Sequence, residues 1–159
     1  MRKSVTMAAA TTGHAEGGTT LNAFDNALLA AGIGDINLIK VSSIVPPDVE
    51  IVELPKIKPG ALVPTAYAAM TSEVPGETIA AAVGYALGDE PGQLGVIMEY
   101  HEVADRETAE RAIRAMLQEA FRVRGRTIRE LKVFATDHTV ERVGCAVAAV
   151  ALLSEDDLA

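Results

Sequence analysis

Several residue types that mark particular protein classes are scarce in this chain of 159 residues. Tryptophan is absent, and phenylalanine and tyrosine contribute three residues each, so aliphatic side chains and alanine must fill the core. Cys145 is the one cysteine, which excludes an intramolecular disulfide framework and makes a reducing cytoplasm the simplest compartment. No apolar run approaches the ~18 residues that a membrane span needs, and the first apolar run favours a strand over a signal peptide.

Basic residues are also in the minority. The chain has 14 lysines and arginines against 22 acidic residues, a formal net charge of -8, which argues against a nucleic-acid or anionic-membrane partner. The electrostatic field of this negative net charge is compatible with a cationic small-molecule substrate. With 49% hydrophobic and 23% charged residues, the composition is globular, and we expect residues 1–159 to form a single domain.

The hydrophobic pattern predicts strands and helices that interleave along the chain. The predicted strands cover residues 5–10, 36–44, 49–54, 61–71, 94–100, 131–136 and 145–153. The predicted helices cover residues 21–31, 78–87 and 105–124. Residues 11–20 are expected to form a loop and residues 154–159 a frayed acidic tail. Short connections between several strands indicate an α+β protein, with mixed or antiparallel sheets covered by helices.

One stretch, Asn37-Leu38-Ile39-Lys40-Val41-Ser42-Ser43-Ile44-Val45-Pro46-Pro47, combines a strand with a double-proline exit. The prolines fix their own φ angles and favour extended geometry in the residue before each. Ser42 and Ser43 lie where the strand stops, between apolar residues, so we expect their side chains to point into protein. The peptide bond between them is then held beside a hydroxyl, which makes it a candidate for backbone chemistry. A strand end with turn-forming serines is the alternative.

Two acidic residues stand out by their context. Glu99 directly follows the apolar run 95–98, where desolvation would raise the pKa of its carboxyl and suit it to donate a proton. A strand end that reaches solvent is the alternative. Asp25 follows Phe24 on a largely apolar helix, and the solvent face of that helix is the simpler interpretation.

The other candidate residues give weaker signals. His14, His101 and His138 lack the spacing of a zinc site, so no metal is expected. Asp137 precedes His138, but no Gly-x-Ser-x-Gly motif accompanies them, and His138 is more typical of a hydrogen-bonded structural residue. Cys145 lies among small apolar residues and is expected in the core.

Seven segments in a fixed order carry a family resemblance. They are Leu21-Asn22-Ala23-Phe24-Asp25, Ala31-Gly32-Ile33-Gly34, the serine stretch Asn37 to Pro47, Gly60-Ala61-Leu62-Val63-Pro64-Thr65-Ala66-Tyr67, Val74-Pro75-Gly76-Glu77-Thr78-Ile79, Ile97-Met98-Glu99-Tyr100 and His138-Thr139-Val140-Glu141. This ordered set, which extends over residues 5–153, resembles the pyruvoyl-dependent arginine decarboxylase family.

The resemblance implies a proenzyme that cuts itself between Ser42 and Ser43. In this chemistry the Ser43 hydroxyl attacks the Ser42 carbonyl and forms an ester. Elimination then gives a β chain, residues 1–42, and an α chain, residues 43–159, that begins with a covalent pyruvoyl group derived from Ser43. Asn37 matches the residue that assists this step, because its amide can donate to the oxyanion that forms at the scissile carbonyl.

The resemblance also implies that the protein converts L-arginine to agmatine and carbon dioxide. The pyruvoyl ketone forms a Schiff base with the substrate amine and accepts the electrons left when carbon dioxide departs. Glu99 matches the proton donor, Asp25 the carboxylate that pairs with the guanidinium, and Ser42 borders the substrate carboxylate. The implied fold is a four-layer αββα sandwich in a homotrimer, or a multiple of it, with active sites between subunits.

Two alternatives stay open at this point. The same chemistry can act on another amino acid such as histidine, because the Asp25 carboxylate favours a cationic side chain without singling out arginine. An uncleaved, non-enzymatic trimeric binding protein could keep the same fold, although nothing at Asn37, Ser42, Ser43 or Glu99 indicates that the chemistry has been lost.

Overall fold

A computed structural model describes residues 3–159. Within that range the chain forms nine β-strands, two α-helices and one 3-10 helix at Glu155–Asp157. The strands are β1 (Met7–Glu16), β2 (Asn37–Lys40), β3 (Ile44–Val45), β4 (Glu50–Ile51), β5 (Leu62–Ser72), β6 (Thr78–Gly88), β7 (Gly95–Val103), β8 (Ile128–Thr139) and β9 (Gly144–Leu153). The helices are α1 (Thr20–Ala30) and α2 (Arg106–Val123). No helix in residues 3–159 is long and apolar enough to cross a membrane.

The strands form two sheets. Sheet I has the strand order β2-β5-β9-β1-β4, and sheet II has the order β3-β7-β6-β8. The long strands β5, β9 and β1 are antiparallel neighbours, whereas the short edge strands β2 and β4 pair in parallel. All pairs described in sheet II are antiparallel. The prediction of mixed or antiparallel sheets is therefore confirmed.

The elements stack in the order helix, sheet, sheet, helix. The two sheets face each other across a core that includes Tyr85 and Ile97. Helix α2 covers the outer face of sheet II through Leu117 and Phe121, which are buried. Helix α1 covers the outer face of sheet I with a smaller surface that includes Leu28. This is the mixed α+β fold, with two helices and two sheets, that the family resemblance implies.

Two of the three predicted helices are present, and each begins at a side chain that caps it. The Thr19 hydroxyl accepts the backbone N–H of Asn22 at 3.1 Å before α1. The Asp105 carboxylate accepts the backbone N–H of Thr108 at 2.8 Å before α2, and this interaction with Thr108 lowers the pKa of Asp105. The caps satisfy N–H groups of the first turn that have no partner within the helix.

The helix predicted at residues 78–87 is wrong, because these residues form β6. This strand lies between β7 and β8, with sheet I on one face and α2 on the other, and residues 79–86 are buried. A strand covered on both faces lacks the polar alternation by which strands are recognised. Small residues are needed there: a Cβ at Gly84 would collide with Ile113 and lie 2.9 Å from the Lys132 carbonyl oxygen.

The loop predicted at residues 11–20 is also largely wrong. Strand β1 continues to Glu16 and stays paired with β9 over its whole length. A Cβ at Gly13 would collide with the Ala27 carbonyl oxygen of α1, so Gly13 allows a helix to cross the sheet closely. Gly13 therefore marks a contact between layers rather than a loop.

The acidic end of the chain is docked, so the prediction of a frayed tail is wrong. Asp157 is 5% exposed, and its carboxylate accepts the backbone N–H of Ser154 at 2.8 Å. Leu158 forms a β-bridge with Ile57. The Ser154 and Asp157 side chains form a capping box, a local signal that the acidic composition obscured.

Candidate active site

The Ser42–Ser43 peptide lies where the chain leaves one sheet for the other. The strand that the sequence predicts as one piece is divided into β2 in sheet I and β3 in sheet II. Before the serines, the Val41 N–H donates to the Thr65 carbonyl of β5 at 3.2 Å. At the second serine, the Ser43 carbonyl accepts the Ile97 N–H of β7 at 2.7 Å. The candidate scissile bond is therefore held by sheet I on its N-terminal side and by sheet II on its C-terminal side.

The two serines differ in exposure. Ser43 is half-buried, whereas Ser42 is exposed, so the prediction that both point into protein is wrong for Ser42. A strand that changes sheets must cross the gap between them, and Ser42 lies in that crossing. Beyond the serines, Val45 is 2% exposed, and the prolines lead into a turn at Asp48, where φ is 65°. The buried valine and this turn fix the exit from the serines.

Glu99 lies on the strand that Ser43 joins. It follows Ile97 by two residues on β7, so both side chains face the space between the sheets. Its cross-strand partner is Val83, a member of the core between the sheets. The Glu99 side chain is 20% exposed. Burial raises the pKa of its carboxyl, as the sequence context predicts, while Lys40 and His101 act in the opposite direction.

Lys40 is the ion-pair partner of Glu99, and no sequence motif marks it. The Lys40 Nζ lies 3.7 Å from Glu99 Oε2 and 4.8 Å from the ring centroid of Tyr67. The Tyr67 ring in turn lies 6.5 Å, centroid to centroid, from Phe24 of α1. The pair joins β2 of sheet I to β7 of sheet II. Only the way the two sheet edges meet creates this contact, so no local sequence signal could have revealed it.

Asn37 is the first residue of β2 and is exposed. Its side-chain amide donates to the Gly60 carbonyl at 3.2 Å. Asn37 precedes Ser42 by five positions, and β2 runs from Asn37 to Lys40 between them. The Asn37 amide is bonded to Gly60 and makes no hydrogen bond to the Ser42 carbonyl within one chain.

Asp25 is exposed on α1. Helix α1 covers the outer face of sheet I, whereas Glu99 faces the space between the sheets. Within residues 3–159 the Asp25 carboxylate makes no hydrogen bond or ion pair. The structure of one chain thus links Ser43, Glu99 and Lys40 through β7, whereas the side chains of Asp25 and Asn37 make no hydrogen bond or ion pair with these residues.

A second polar cluster lies between β1 and β8. The Nδ1 atoms of His14 and His138 are 2.9 Å apart, and His138 Nε2 lies 2.6 Å from Glu16 Oε2. The Glu16 carboxylate also accepts the backbone N–H groups of residues 141–143. Burial tends to raise the pKa of Glu16, but the hydrogen bonds from His138 and these amides together lower it to about 2. His138 is hydrogen-bonded as predicted, although the sequence did not indicate its partners.

The last candidates are Cys145 and the side chains that could bind a metal ion. Cys145 is fully buried, and burial raises the pKa of its thiol to about 11, so the prediction of a core residue is confirmed. No group of three or more histidine, cysteine, aspartate or glutamate side chains is arranged to hold a metal ion in the part of the chain that the structure describes.

Among solved structures, the fold is similar to one described as a pyruvoyl-dependent histidine decarboxylase at pH 8. The TM-score is 0.54 and the identity 15%, with 64% of this chain and 55% of that chain covered. The match thus spans about half of that chain's length. At this identity the likeness concerns the fold alone, a mixed α+β fold with two helices and two sheets.

The sequence comparisons are more specific. The profile of the pyruvoyl-dependent arginine decarboxylase family matches residues 7–157. A pyruvoyl-dependent arginine decarboxylase of Methanocaldococcus jannaschii is 51% identical over 140 residues, covering 88% of this chain and 85% of that protein. One of Pyrococcus abyssi is 47% identical over 154 residues, covering 95% and 94%. The chain belongs to the pyruvoyl-dependent arginine decarboxylase family, whose members use a covalently bound pyruvoyl group.

Proposed function

We propose that the chain decarboxylates L-arginine to agmatine and carbon dioxide, with a pyruvoyl group formed from its own Ser43. The family match and the activity named for its relatives support the reaction. One observation carries the assignment of the site: the Ser42–Ser43 peptide crosses between the sheets, and the Ser43 carbonyl is bonded to the strand that bears Glu99. A prosthetic group at residue 43 then stays within two residues, about 7 Å along β7, of a carboxyl that can supply a proton.

The residues around position 43 fit such a group. The Ile97 N–H holds the carbonyl of residue 43 at 2.7 Å, and Ile44 pairs with Val96. These contacts would anchor a new chain end that begins at residue 43. Ser42 is exposed, so the departing chain end has room to move away.

In the proposed self-cleavage, the Ser43 hydroxyl attacks the Ser42 carbonyl carbon, and an ester replaces the amide between them. Loss of the Ser43 α-proton then expels Ser42 as a free carboxylate and leaves dehydroalanine at position 43. Addition of water and release of ammonia leave a ketone there. The products are a β chain, residues 1–42, and an α chain, residues 43–159. They would stay together, because β1 pairs with β9 and β2 pairs with β5.

Glu99 is the proposed proton donor for the decarboxylation. The pyruvoyl ketone supplies the electron sink for the bond that loses carbon dioxide. Glu99 then delivers the proton that replaces the carboxylate on the substrate α-carbon. Because burial raises the pKa of this carboxyl, Glu99 keeps its proton to a higher pH than an exposed glutamate does.

The remaining site residues are proposed to come together in an assembly of three chains or a multiple of three. Asp25 pairs with the guanidinium, Asn37 donates to the oxyanion at the scissile carbonyl, and Ser42 borders the substrate carboxylate. Sites between subunits account for the separation of Asp25 and Asn37 from Ser43 within one chain. The net charge of -8 suits a cationic substrate, and the buried thiol of Cys145 suits a reducing cytoplasm.

Substitutions at Ser43 and Glu99 separate the two proposed reactions. Ser43→Ala removes the attacking hydroxyl, so the chain should stay uncut and release no carbon dioxide from arginine. Glu99→Gln should be cut but should release carbon dioxide from carboxyl-labelled arginine about 100-fold more slowly, as is typical when a general acid is lost. Glu102→Gln is the matched control, because Glu102 is exposed on the same strand and should keep both reactions.

Each substitution has an outcome that contradicts its assignment. Normal turnover by Glu99→Gln would remove Glu99 from the mechanism, and cutting of Ser43→Ala would remove Ser43 as the nucleophile. Release of carbon dioxide from histidine but not from arginine would contradict the assignment of arginine as the substrate. A chain that is cut and releases carbon dioxide from neither amino acid would contradict the function as a whole.

A further inference from the structure

Lys40 occupies a position between the residues proposed to carry out the reaction. It is the last residue of β2, where it pairs with Thr65 of sheet I, and its side chain reaches Glu99 of sheet II at 3.7 Å. Two residues further on the chain enters the Ser42–Ser43 bond. Lys40 therefore approaches the proposed proton donor from the strand that leads directly into the proposed cleavage site.

The pair differs from the other lysine and arginine ion pairs within residues 3–159 in the burial of its acid. Glu99 is 20% exposed, whereas the acidic side chains of the other pairs are between 35% and 71% exposed. Exposed pairs interact weakly because water screens them. The Lys40 ammonium acts on a carboxyl from which most of the water is excluded, so its effect on that carboxyl is larger.

A second contact holds the ammonium in place. Lys40 Nζ lies 4.8 Å from the centroid of the Tyr67 ring, within the range of a cation–π interaction. Tyr67 packs beside Phe24 of α1, with 6.5 Å between ring centroids. The lysine is thus held both by the face of an aromatic ring and by the carboxylate.

Few other titratable groups can influence Glu99. His101 lies two residues along β7 and favours the ionised carboxylate, as Lys40 does. Strand β5 contributes Tyr67, and β6 places Val83 opposite Glu99, with Tyr85 two residues away on the same face. Strand β3 has no titratable side chain, and α2 packs on the other face of sheet II. Lys40 is therefore the principal charge in contact with this carboxyl.

We propose that Lys40 is a positioning residue for the decarboxylation: it fixes the Glu99 carboxyl beside residue 43 and sets the pH above which Glu99 lacks the proton it must donate. The proposal depends on the role proposed for Glu99. Burial alone raises the pKa of the Glu99 carboxyl and so weakens it as an acid. The Lys40 ammonium offsets part of that increase. Lys40 thus lets a buried carboxyl hold a proton and still deliver it to the substrate.

The test compares pH profiles of kcat for variants first shown to be cut as the wild type is. In Lys40→Met the alkaline fall of kcat should move upward by about one pH unit, the order of effect of a neighbouring charge, with a smaller change in the KM for arginine. Lys40→Arg keeps the charge and should leave the fall in place. Lys132→Met is the matched control, because Lys132 pairs with Glu130 at 3.4 Å on β8, away from Glu99, and its profile should equal that of the wild type.

The outcomes separate this proposal from the proposed function. A Lys40→Met profile that is lowered equally at all pH values, with no displacement, would show a merely structural role and overturn the proposal. Full turnover by Glu99→Gln would instead refute the role of Glu99 itself. If Lys40→Met is not cut, Lys40→Gln serves as a second neutral variant.

Discussion

The Glu16 carboxylate is expected to stabilise the fold through hydrogen bonds that glutamine cannot reproduce. One oxygen accepts from Arg142 N at 2.8 Å and Val143 N at 3.1 Å, and the other from His138 Nε2 and Glu141 N. Glu16→Gln replaces one oxygen with an NH2 group. In one orientation that group faces the N–H donors of Arg142 and Val143; in the other it faces Glu141 N and His138 Nε2, and a change of tautomer lets His138 accept. At least one backbone donor therefore loses its acceptor in either orientation.

The pKa of Glu16 gives the size of this effect. A tenfold change in proton affinity corresponds to about 1.4 kcal/mol, so lowering the pKa from 4.5 to about 2 corresponds to at most about 3.5 kcal/mol of folding free energy. The Glu16 side chain is 27% exposed, and solvent screening reduces the figure. We therefore expect Glu16→Gln to lower the free energy of unfolding by about 2 kcal/mol at pH 7.

The pH dependence has a definite sign. The pKa in the folded chain lies below the ordinary value, so the contribution is fully present above pH 4.5 and is lost as the pH falls toward 2. At pH 3 roughly 40% of it should remain. The difference between wild type and Glu16→Gln should therefore shrink between pH 5 and pH 3.

Urea unfolding followed by circular dichroism measures this difference. Both chains should carry Ser43→Ala, so that each sample is one covalent chain, and should be compared at one protein concentration. A loss of about 2 kcal/mol lowers the urea midpoint by about 1 M if the m-value is about 2 kcal/mol/M. Glu119→Gln, in an exposed pair with Arg122, is the control and should change little. Equal midpoints for wild type and Glu16→Gln at pH 7, or a loss that does not shrink by pH 3, would refute the reasoning.

Three further predictions concern the substrate, the layers and the end of the chain. Asp25→Asn should raise the KM for arginine about tenfold or more without affecting cutting, and an unchanged KM would remove Asp25 from the site. Gly84→Ala should cost about 1–3 kcal/mol in urea unfolding, because its Cβ would collide with α2; Gly18→Ala, with open space around it, should cost little. Asp157→Ala should speed hydrogen exchange at the Ser154 amide, which it caps; unchanged exchange would contradict that.

The fold was predictable where one face of an element is polar. Helix α2 shows an amphipathic stripe and an N-cap at Asp105, and both were recognised. Strand β6 is buried on both faces, so its alanine-rich sequence carries no periodicity that separates strand from helix. The sequence also does not reveal the role of Gly13 and Gly84. Each allows a helix to approach its sheet closely, and the local sequence does not describe that second layer.

The candidate site divides in a similar way. The adjacent serines and the buried setting of Glu99 were visible in the sequence. The change of sheet between β2 and β3 was not, because both segments are extended and differ only in their partners. The contact of Lys40 with Glu99 and the contact of Glu16 with His138 each join residues far apart in the chain. Such contacts depend on how sheet edges meet, which no pattern along one sequence encodes.

Intact mass under denaturing conditions tests the central claim most directly. The account predicts two fragments, residues 1–42 ending in a free carboxylate and residues 43–159 with an N-terminus blocked to sequencing by the pyruvoyl group. The larger fragment should be lighter by the mass of one NH3 than the same fragment beginning with an ordinary serine. A chain that stays at its full-length mass after long incubation, or a larger fragment that begins with an ordinary serine, would contradict it.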